Sequence, residues 1–384
     1  MRIAIVHDYL YTVGGAEKVL QSMLECFPHA DLYSLFDTLP AEDKARIGYR
    51  ECTTSFLQRM PGITHRHRLY LPLMPLAVEQ LDVSSYELVI SSSWAVAKGI
   101  LTGPDQLHVS YVHSPMRYAW DLQHEYLRVS GLEHGLKSWI ARALLHRLRL
   151  WDVRTAYGVD DYIANSQFIA RRIGKAYGRP AHVIYPPVAI PASIPSGPKA
   201  DYFITASRFV PYKNVDKIVQ AFRHLPGEKL MVVGDGPEMH NLRQIAGDNV
   251  TFTGFVSTDE LRRLLAAARA FIFAAEEDFG IAPVEAQAHG TPVLALRRGA
   301  ARETVIGRGD EATGLFFDSP SPECIAGAIS TFMRMETAFR REHCHANARR
   351  FSKERFINEF GGFVNQRFAE FARGMDRPAE RLAA

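Results

Sequence analysis

Two α/β domains, each built on a parallel sheet, are what this sequence predicts, and three observations predict them. Short β-branched runs alternate with longer helix-patterned stretches. A turn-rich stretch interrupts that rhythm midway, after which the rhythm restarts. A length of 384 residues also exceeds what one hydrophobic core usually organises, while 47% apolar and 23% charged residues are ordinary for a globular chain.

In the first half the strand runs are Ile3 to His7, Leu88 to Ser91, His108 to Val112 and Tyr162 to Ala164. The interruption runs from Tyr185-Pro186-Pro187 through Ile194-Pro195-Ser196-Gly197-Pro198 and reads as a linker, which assigns 1–187 to a first domain and 188–362 to a second. Strand runs then return at Tyr202 to Ala206, Leu230 to Val233, Val250 to Thr253, Phe271 to Ala274 and Pro292 to Leu296. After Glu323 the pattern is helical, with Phe351, Phe356, Phe360, Phe363 and Phe368 close to one helical face. Such a tail has the means to cross back, with 363–384 rejoining the first domain; Arg377 to Ala384 carry no packing signal.

Composition excludes several classes. Cys26, Cys52, Cys324 and Cys344 are scattered without a CxxC pair, so neither a disulfide framework nor a zinc site is indicated and a reducing, cytoplasmic compartment fits. Met1 leads almost directly into Ile3-Ala4-Ile5-Val6, leaving no room for a signal peptide. The longest apolar window, Leu264 to Ala275, is broken by Arg269 and too short to span a bilayer. A net charge of +3 does not argue for nucleic acid. Two local clusters matter more: His65-Arg66-His67-Arg68, and Lys137 to Arg154, where Arg142, Arg147 and Arg149 stand among Leu144, Leu145, Leu148 and Trp151 at helical spacing.

The sharpest motif is Glu277-Asp278-Phe279-Gly280-Ile281-Ala282-Pro283-Val284-Glu285, which follows a buried strand run and leads into a helix-like stretch. Carboxylates accept paired hydrogen bonds from vicinal hydroxyls, and backbone N–H groups at a helix start favour anionic or hydroxyl-rich ligands. That is sugar and ribose chemistry; the plainer alternative makes Glu285 a helix cap and Glu277 a solvated loop acid. Next, Ser207-Arg208-Phe209-Val210-Pro211-Tyr212-Lys213-Asn214 ends a strand and precedes a helix expected to begin near Lys213. An Arg fork and a Lys point charge at the carboxyl edge of a parallel sheet suit a diphosphate, unless they are only two surface cations near a turn.

Gly14-Gly15-Ala16-Glu17 follows the first strand and opens a helix, where glycine lets a phosphate or sugar approach the backbone. Gly234-Asp235-Gly236-Pro237 sits similarly after a strand and reads equally as a tight βα loop. His113-Ser114-Pro115 follows another strand, so His113 is either a ligand contact or a satisfied loop histidine. No Ser-His-Asp order, HExxH or Walker P-loop occurs, and Asp160-Asp161 reads as a strand start rather than a metal-binding DxD, so no metal is expected.

Taken in chain order, Gly14-Gly15, His113-Ser114-Pro115, Asn165-Ser166, Arg208 with Lys213, Gly234-Asp235-Gly236 and Glu277 to Glu285 resemble the family 4 glycosyltransferases. The resemblance implies the GT-B fold: two Rossmann-like parallel-sheet domains facing across a cleft, with the C-terminal helix crossing back to the first. It implies a retaining, metal-independent transfer from a nucleotide-sugar. By similarity Arg208 and Lys213 hold the diphosphate, Glu285 binds the ribose, and Glu277 with the backbone of Phe279, Gly280 and Ile281 positions the donor sugar. Gly14, Gly15 and Gly234 approach the donor, and His113 stands near the reacting centre. Front-face attack then delivers the acceptor proton to a donor phosphate oxygen. Asp278 departs from the glycine of many relatives, which bears on donor selectivity.

The wording His7-Asp8-Tyr9 and His113-Ser114-Pro115-Met116-Arg117-Tyr118-Ala119-Trp120-Asp121 looks closest to bacterial surface-polysaccharide mannosyltransferases. That subgroup implies GDP-mannose as donor, a polyprenyl-diphosphate-linked oligosaccharide as acceptor with Tyr9 in its site, no cofactor, and peripheral contact of the basic segments with an anionic membrane on the cytoplasmic face. Transfer from a UDP-sugar, a nucleotide-sugar epimerase of the same fold, and a silent nucleotide-sugar-binding subunit stay open as alternatives.

Overall fold

A computed structural model describes residues 1–195 and 197–375. The chain forms two compact units: residues 1–185 with the segment that starts at Phe356, and Pro186–Arg355. Ser196 of the turn-rich stretch, and Arg377 to Ala384, lie outside the described residues.

The first unit carries a seven-stranded sheet in the order β3-β2-β1-β4-β5-β6-β7. Its strands are β1 Ile3–His7, β2 Asp31–Ser34, β3 Thr53–Thr54, β4 Leu88–Ser93, β5 Leu107–Val112, β6 Asp161–Ala164 and β7 His182–Val183, all paired in parallel. β1, β4 and β5 are buried along their whole length, as expected where crossover helices cover both faces of a sheet.

The second unit repeats the design with six parallel strands in the order β10-β9-β8-β11-β12-β13. These are β8 Phe203–Ala206, β9 Leu230–Val233, β10 Val250–Gly254, β11 Phe271–Phe273, β12 Val293–Leu296 and β13 Gly314–Phe317. In both sheets the order runs outward from the first strand in one direction and then jumps to the fourth in the other. Two neighbouring loops therefore diverge above β1/β4 and above β8/β11, the switch points where open α/β sheets bind ligands.

Nine strands match the expected runs to within a residue or two, and four were not anticipated. β3 and β7 are two residues long, too short to leave a pattern, and β2 opens on an aspartate. Gly314 starts β13 for a steric reason: a Cβ there would stand 1.9 Å from the Val293 carbonyl oxygen.

The C-terminal pattern needs correcting. It is broken into the helices Pro322–Arg334, Arg341–Arg349 and Lys353–Met375, and Phe351 lies before the last of them. Phe351 packs edge-on to Phe279 within the second unit, their ring centroids 5.5 Å apart. From Phe356 the last helix joins the first unit. Phe356, Phe360 and Val364 are buried there, Phe360 lies 6.2 Å from both Phe27 and Tyr111, and Arg367 donates to Asp161 at 2.8 Å.

Candidate functional site

The second unit gathers most of the expected site at its switch point. After β8 the chain makes a 3-10 turn at Pro211–Lys213, and the helix begins only at Val215, two residues beyond the expected start at Lys213. Asn214 is the reason. It adopts the left-handed conformation (φ 53°), alone among the described non-glycine residues, and its amide donates to the Ala274 carbonyl just after β11 at 2.8 Å. The two loops that flank the switch point are thereby tied together.

That tie brings the Lys213 ammonium onto the Glu277 carboxylate, and both side chains remain partly accessible, at 16% and 18%. Glu277 is held from behind as well. Gly299, in the loop after β12, is left-handed (φ 59°), and a Cβ there would meet the Glu277 carbonyl oxygen at 2.4 Å; the next amide, Ala300 N–H, donates to that oxygen at 3.0 Å. Arg208 is exposed and pairs with no acid among the described residues. Beside it the Ser207 hydroxyl is buried without a hydrogen-bond partner.

The remaining residues of the Glu277 motif fall into place around this pair. Gly280 is left-handed (φ 79°) and precedes the helix Ile281–Ala288, so the strand-to-helix turn needs a glycine. Glu285 lies in the interior of that helix and is half-buried, which rules out its being the helix cap. The Phe279 ring is core, so only its backbone is available to a ligand. Gly234 and Gly236 have a packing reason: a Cβ on Gly234 would stand 2.0 Å from the Ser207 carbonyl oxygen, and one on Gly236 2.5 Å from that of Phe209. They let the loops after β8 and β9 touch, which places Arg208.

The switch point of the first unit is built otherwise. Asp8, fully buried after β1, accepts four backbone N–H groups from the loop after β4: Trp94 at 2.6 Å, Ala95 at 2.8 Å, Val96 at 2.6 Å and Ala97 at 2.7 Å. The sequence offered Asp8 only as part of a tripeptide. Nothing local marks an aspartate whose partners lie nearly ninety positions away.

Next to it Ser92 Oγ bridges two imidazoles, His7 Nδ1 at 3.0 Å and His113 Nε2 at 2.9 Å. His7 Nε2 stands 3.5 Å from Glu17 Oε1, and the other oxygen of Glu17 accepts the Gly14 N–H at 2.7 Å. The glycine at the start of the helix Gly15–Cys26 is thus capped by the chain's own carboxylate, while Gly15 stays exposed. Burial pushes His113 down to about 3 and His108 down to about 4, so both rings are neutral at physiological pH. His113 sits in an aromatic surround, 5.7 Å from Trp94 and 5.2 Å from Tyr111, and Asn165 donates to its carbonyl at 2.9 Å. Tyr9 stacks on Phe36 at 5.2 Å and its hydroxyl accepts from Trp94 Nε1 at 3.3 Å.

Two basic residues face inward, contrary to their expected outward role. Arg149 donates to the Ala119 carbonyl at 2.7 Å and to Gln123, and His67 is buried against Tyr11 at 4.6 Å. Among the described residues no three His, Cys, Asp or Glu side chains gather as a metal site would require.

Comparison with known proteins fits this geometry. Residues 189–351 match the family described as glycosyl transferases group 1. A stretch of 147 residues is 37% identical to a GDP-mannose-dependent alpha-(1-6)-phosphatidylinositol monomannoside mannosyltransferase of Mycobacterium tuberculosis, covering 34% of this chain and 37% of that protein's own length. Among solved structures, HepE of Anabaena in complex with UDP superposes with a TM-score of 0.67 at 20% identity, over 97% of this chain and all of that one. Sucrose-phosphate synthase of Thermosynechococcus elongatus gives 0.70 at 17% identity, over 96% of this chain and all of that one.

Proposed function

For a chain of GT-B fold whose residues 189–351 match the glycosyl transferases group 1 family, we propose a retaining transfer of a hexose, mannose from GDP-mannose, to a lipid-linked oligosaccharide. The observation that carries this reading is the Lys213–Glu277 pair at the β8/β11 switch point, with Arg208 beside it.

The pair has a chemical logic. A diphosphate carries more negative charge than one carboxylate and competes for the Lys213 ammonium, with the exposed Arg208 guanidinium offering a second, forked donor set. Glu277, released, is then free to accept hydroxyls of the donor sugar, and Glu285 those of the ribose. As the C1–O bond to the diphosphate breaks, negative charge grows on the leaving oxygen under Arg208 and Lys213. Fixed cations aimed at developing charge are a large catalytic term. The acceptor oxygen bonds to C1 on the same face, and its proton passes to the departing phosphate oxygen. No step requires a metal.

The mannose and GDP assignments draw support from the mycobacterial relative, and the oligosaccharide acceptor from the first-half sequence. HepE, seen with UDP, favours a uridine nucleotide as the second reading.

A thermal-shift panel of GDP, UDP and ADP with GDP-mannose, UDP-glucose and UDP-N-acetylglucosamine tests the donor, because a ligand that binds only the folded state raises its melting point. A shift confined to GDP and GDP-mannose is expected. A shift confined to uridine nucleotides would remove mannose and keep transfer. Acceptor-dependent release of nucleoside diphosphate then separates transfer from the alternatives: donor isomerisation without acceptor would mark an epimerase, and binding without turnover a silent subunit.

A further inference from the structure

Four of the apolar side chains that the first unit leaves uncovered share one helix. In the helix Leu136–Thr155, Leu136, Trp139, Ile140 and Leu150 are 77%, 76%, 54% and 61% exposed. Positions 136, 139, 140, 143, 147, 150 and 154 recur every three or four residues, so they share one face. Arg147 and Arg154 lie on that face and Lys137 beside it, all exposed. The opposite face is core: Leu148 is buried, and Leu145 and Trp151 pack against buried neighbours. This helix is therefore apolar on two sides, and only one of them has a protein partner among the described residues.

Charge identifies what the other side meets. The only acid in the helix is Asp152, fully buried and paired with Lys98 at 2.8 Å. A second stretch on the same unit repeats the composition. Between Phe56 and Val78 there is no Asp or Glu, while Arg59, Arg66 and Arg68 are exposed together with Leu69, Leu73 and Leu76. Glu79 joins the two stretches, accepting from Trp151 Nε1 at 2.8 Å and from Arg154 at 2.7 Å.

We propose that this face docks on a bilayer that contains anionic lipid. Trp139, Leu136, Ile140 and Leu150 enter the boundary between headgroups and acyl chains, and Lys137 and Arg147 meet lipid phosphates. An exposed tryptophan among aliphatics with cations at its margin is the chemistry of an interfacial helix, and a helix in that plane needs no spanning length. No helix of the described residues is long and apolar enough to cross a membrane. A second copy of the chain is a poor occupant, since a two-fold contact through this face adds a second set of Lys137 and Arg147 while the helix's one acid, Asp152, is buried and already paired. Nucleic acid would use the cations and gain nothing from Leu136, Ile140 and Leu150. The docking surface stands whether or not the transfer reaction is the one proposed above.

The test is flotation of the full chain with vesicles of phosphatidylcholine alone and of phosphatidylcholine mixed with phosphatidylglycerol. Binding is expected only to the mixed vesicles and should weaken with salt. Each cation removed from an anionic surface lowers partitioning about fivefold, so Lys137→Glu with Arg147→Glu should lower it well beyond tenfold. Arg243→Glu, an exposed cation of the second unit, should leave it unchanged. Trp139 is the exposed member of the four tryptophans, the other three being half-buried, so the blue shift of emission on vesicle addition should vanish in Trp139→Ser. All four substituted side chains are exposed, and an unchanged melting temperature confirms folding. Equal binding to neutral vesicles, no binding to either, or a solution dimer that Lys137→Glu with Arg147→Glu dissociates would each overturn the proposal.

Discussion

Both units close their switch point with a carboxylate, and they do so in opposite ways. Asp8 in the first unit is sealed from solvent and takes four backbone N–H groups at 2.6 to 2.8 Å, so it fixes the loop after β4 in one place. Glu277 in the second is partly accessible and takes a lysine ammonium, for which a more highly charged anion would compete. The first arrangement is sealed from solvent, whereas the second is open to it. The unit that carries exchangeable charge is also the one that matches the family over residues 189–351. On the function proposed above, the donor belongs to that unit and the acceptor to the rigid, histidine-lined edge of the first.

The largest effect that contrast predicts is on turnover. Lys213→Ala or Arg208→Ala should lower transfer a hundredfold or more, on the order of what removal of one preorganised donor costs elsewhere. Both side chains are accessible, so the melting temperature should scarcely move. Wild-type rates in either variant, measured as acceptor-dependent nucleotide release, would break the assignment of exchangeable charge to the second unit.

Asp8→Ala should act the other way round. Four backbone donors lose their acceptor in a buried site, and each unsatisfied group costs about 1–3 kcal/mol. Several kcal/mol of stability should disappear, and hydrogen exchange read peptide by peptide should speed up in the first unit while the second keeps its protection. Uniform acceleration across the chain would show that the units do not unfold separately. Gly234→Ala is the matching probe of the second unit, because its Cβ would stand 2.0 Å from the Ser207 oxygen at a φ of 127°. A loss of roughly 1–3 kcal/mol confined to that unit is expected.

The same contrast explains what was legible in the sequence. Arg208, Lys213, Glu277 and Glu285 lie in contiguous motifs, and their strand-to-helix loops follow from alternating patterns and glycines. Their placement depends on chain segments that announce themselves. What escaped depends on partners far along the chain. Asp8 meets residues 94–97, Ser92 meets His7 and His113, and Gly299 backs Glu277 through its carbonyl. Asn214 was visible as the end of a motif, yet nothing local shows that it must be left-handed and tied to Ala274. Strand β13 hid because glycine opens it. In the basic helix the spacing gave the helix correctly but not which arginines face inward; Arg149 turns toward the Ala119 carbonyl because the segment 119–123 packs there.

Acid should separate the units. His113 and His108 are held near 3 and 4 in the folded chain against about 6.5 when unfolded, so the unfolded state binds protons first. Stability from these two groups is complete above about pH 6.5 and is lost progressively as pH falls through that value toward 4 and 3. Hydrogen exchange at pH 5 and pH 7 should show protection falling in the first unit more than in the second. Ser92→Ala sharpens this test by removing the hydroxyl between the two imidazoles, and its melting temperature should drop more at pH 5 than at pH 7.

The smallest effect belongs to Tyr9→Phe. The hydroxyl accepts from Trp94 Nε1 at 3.3 Å, a long bond, and the ring remains stacked on Phe36 in the variant. Stability should change by no more than about 1 kcal/mol, the ordinary net value of one hydrogen bond. If the first unit reads the acceptor, the loss should instead fall on the acceptor's KM, with the donor's KM and the nucleotide-induced thermal shift left as they were. A change in donor KM would place Tyr9 on the donor side and erase the division of labour that the two carboxylates suggest.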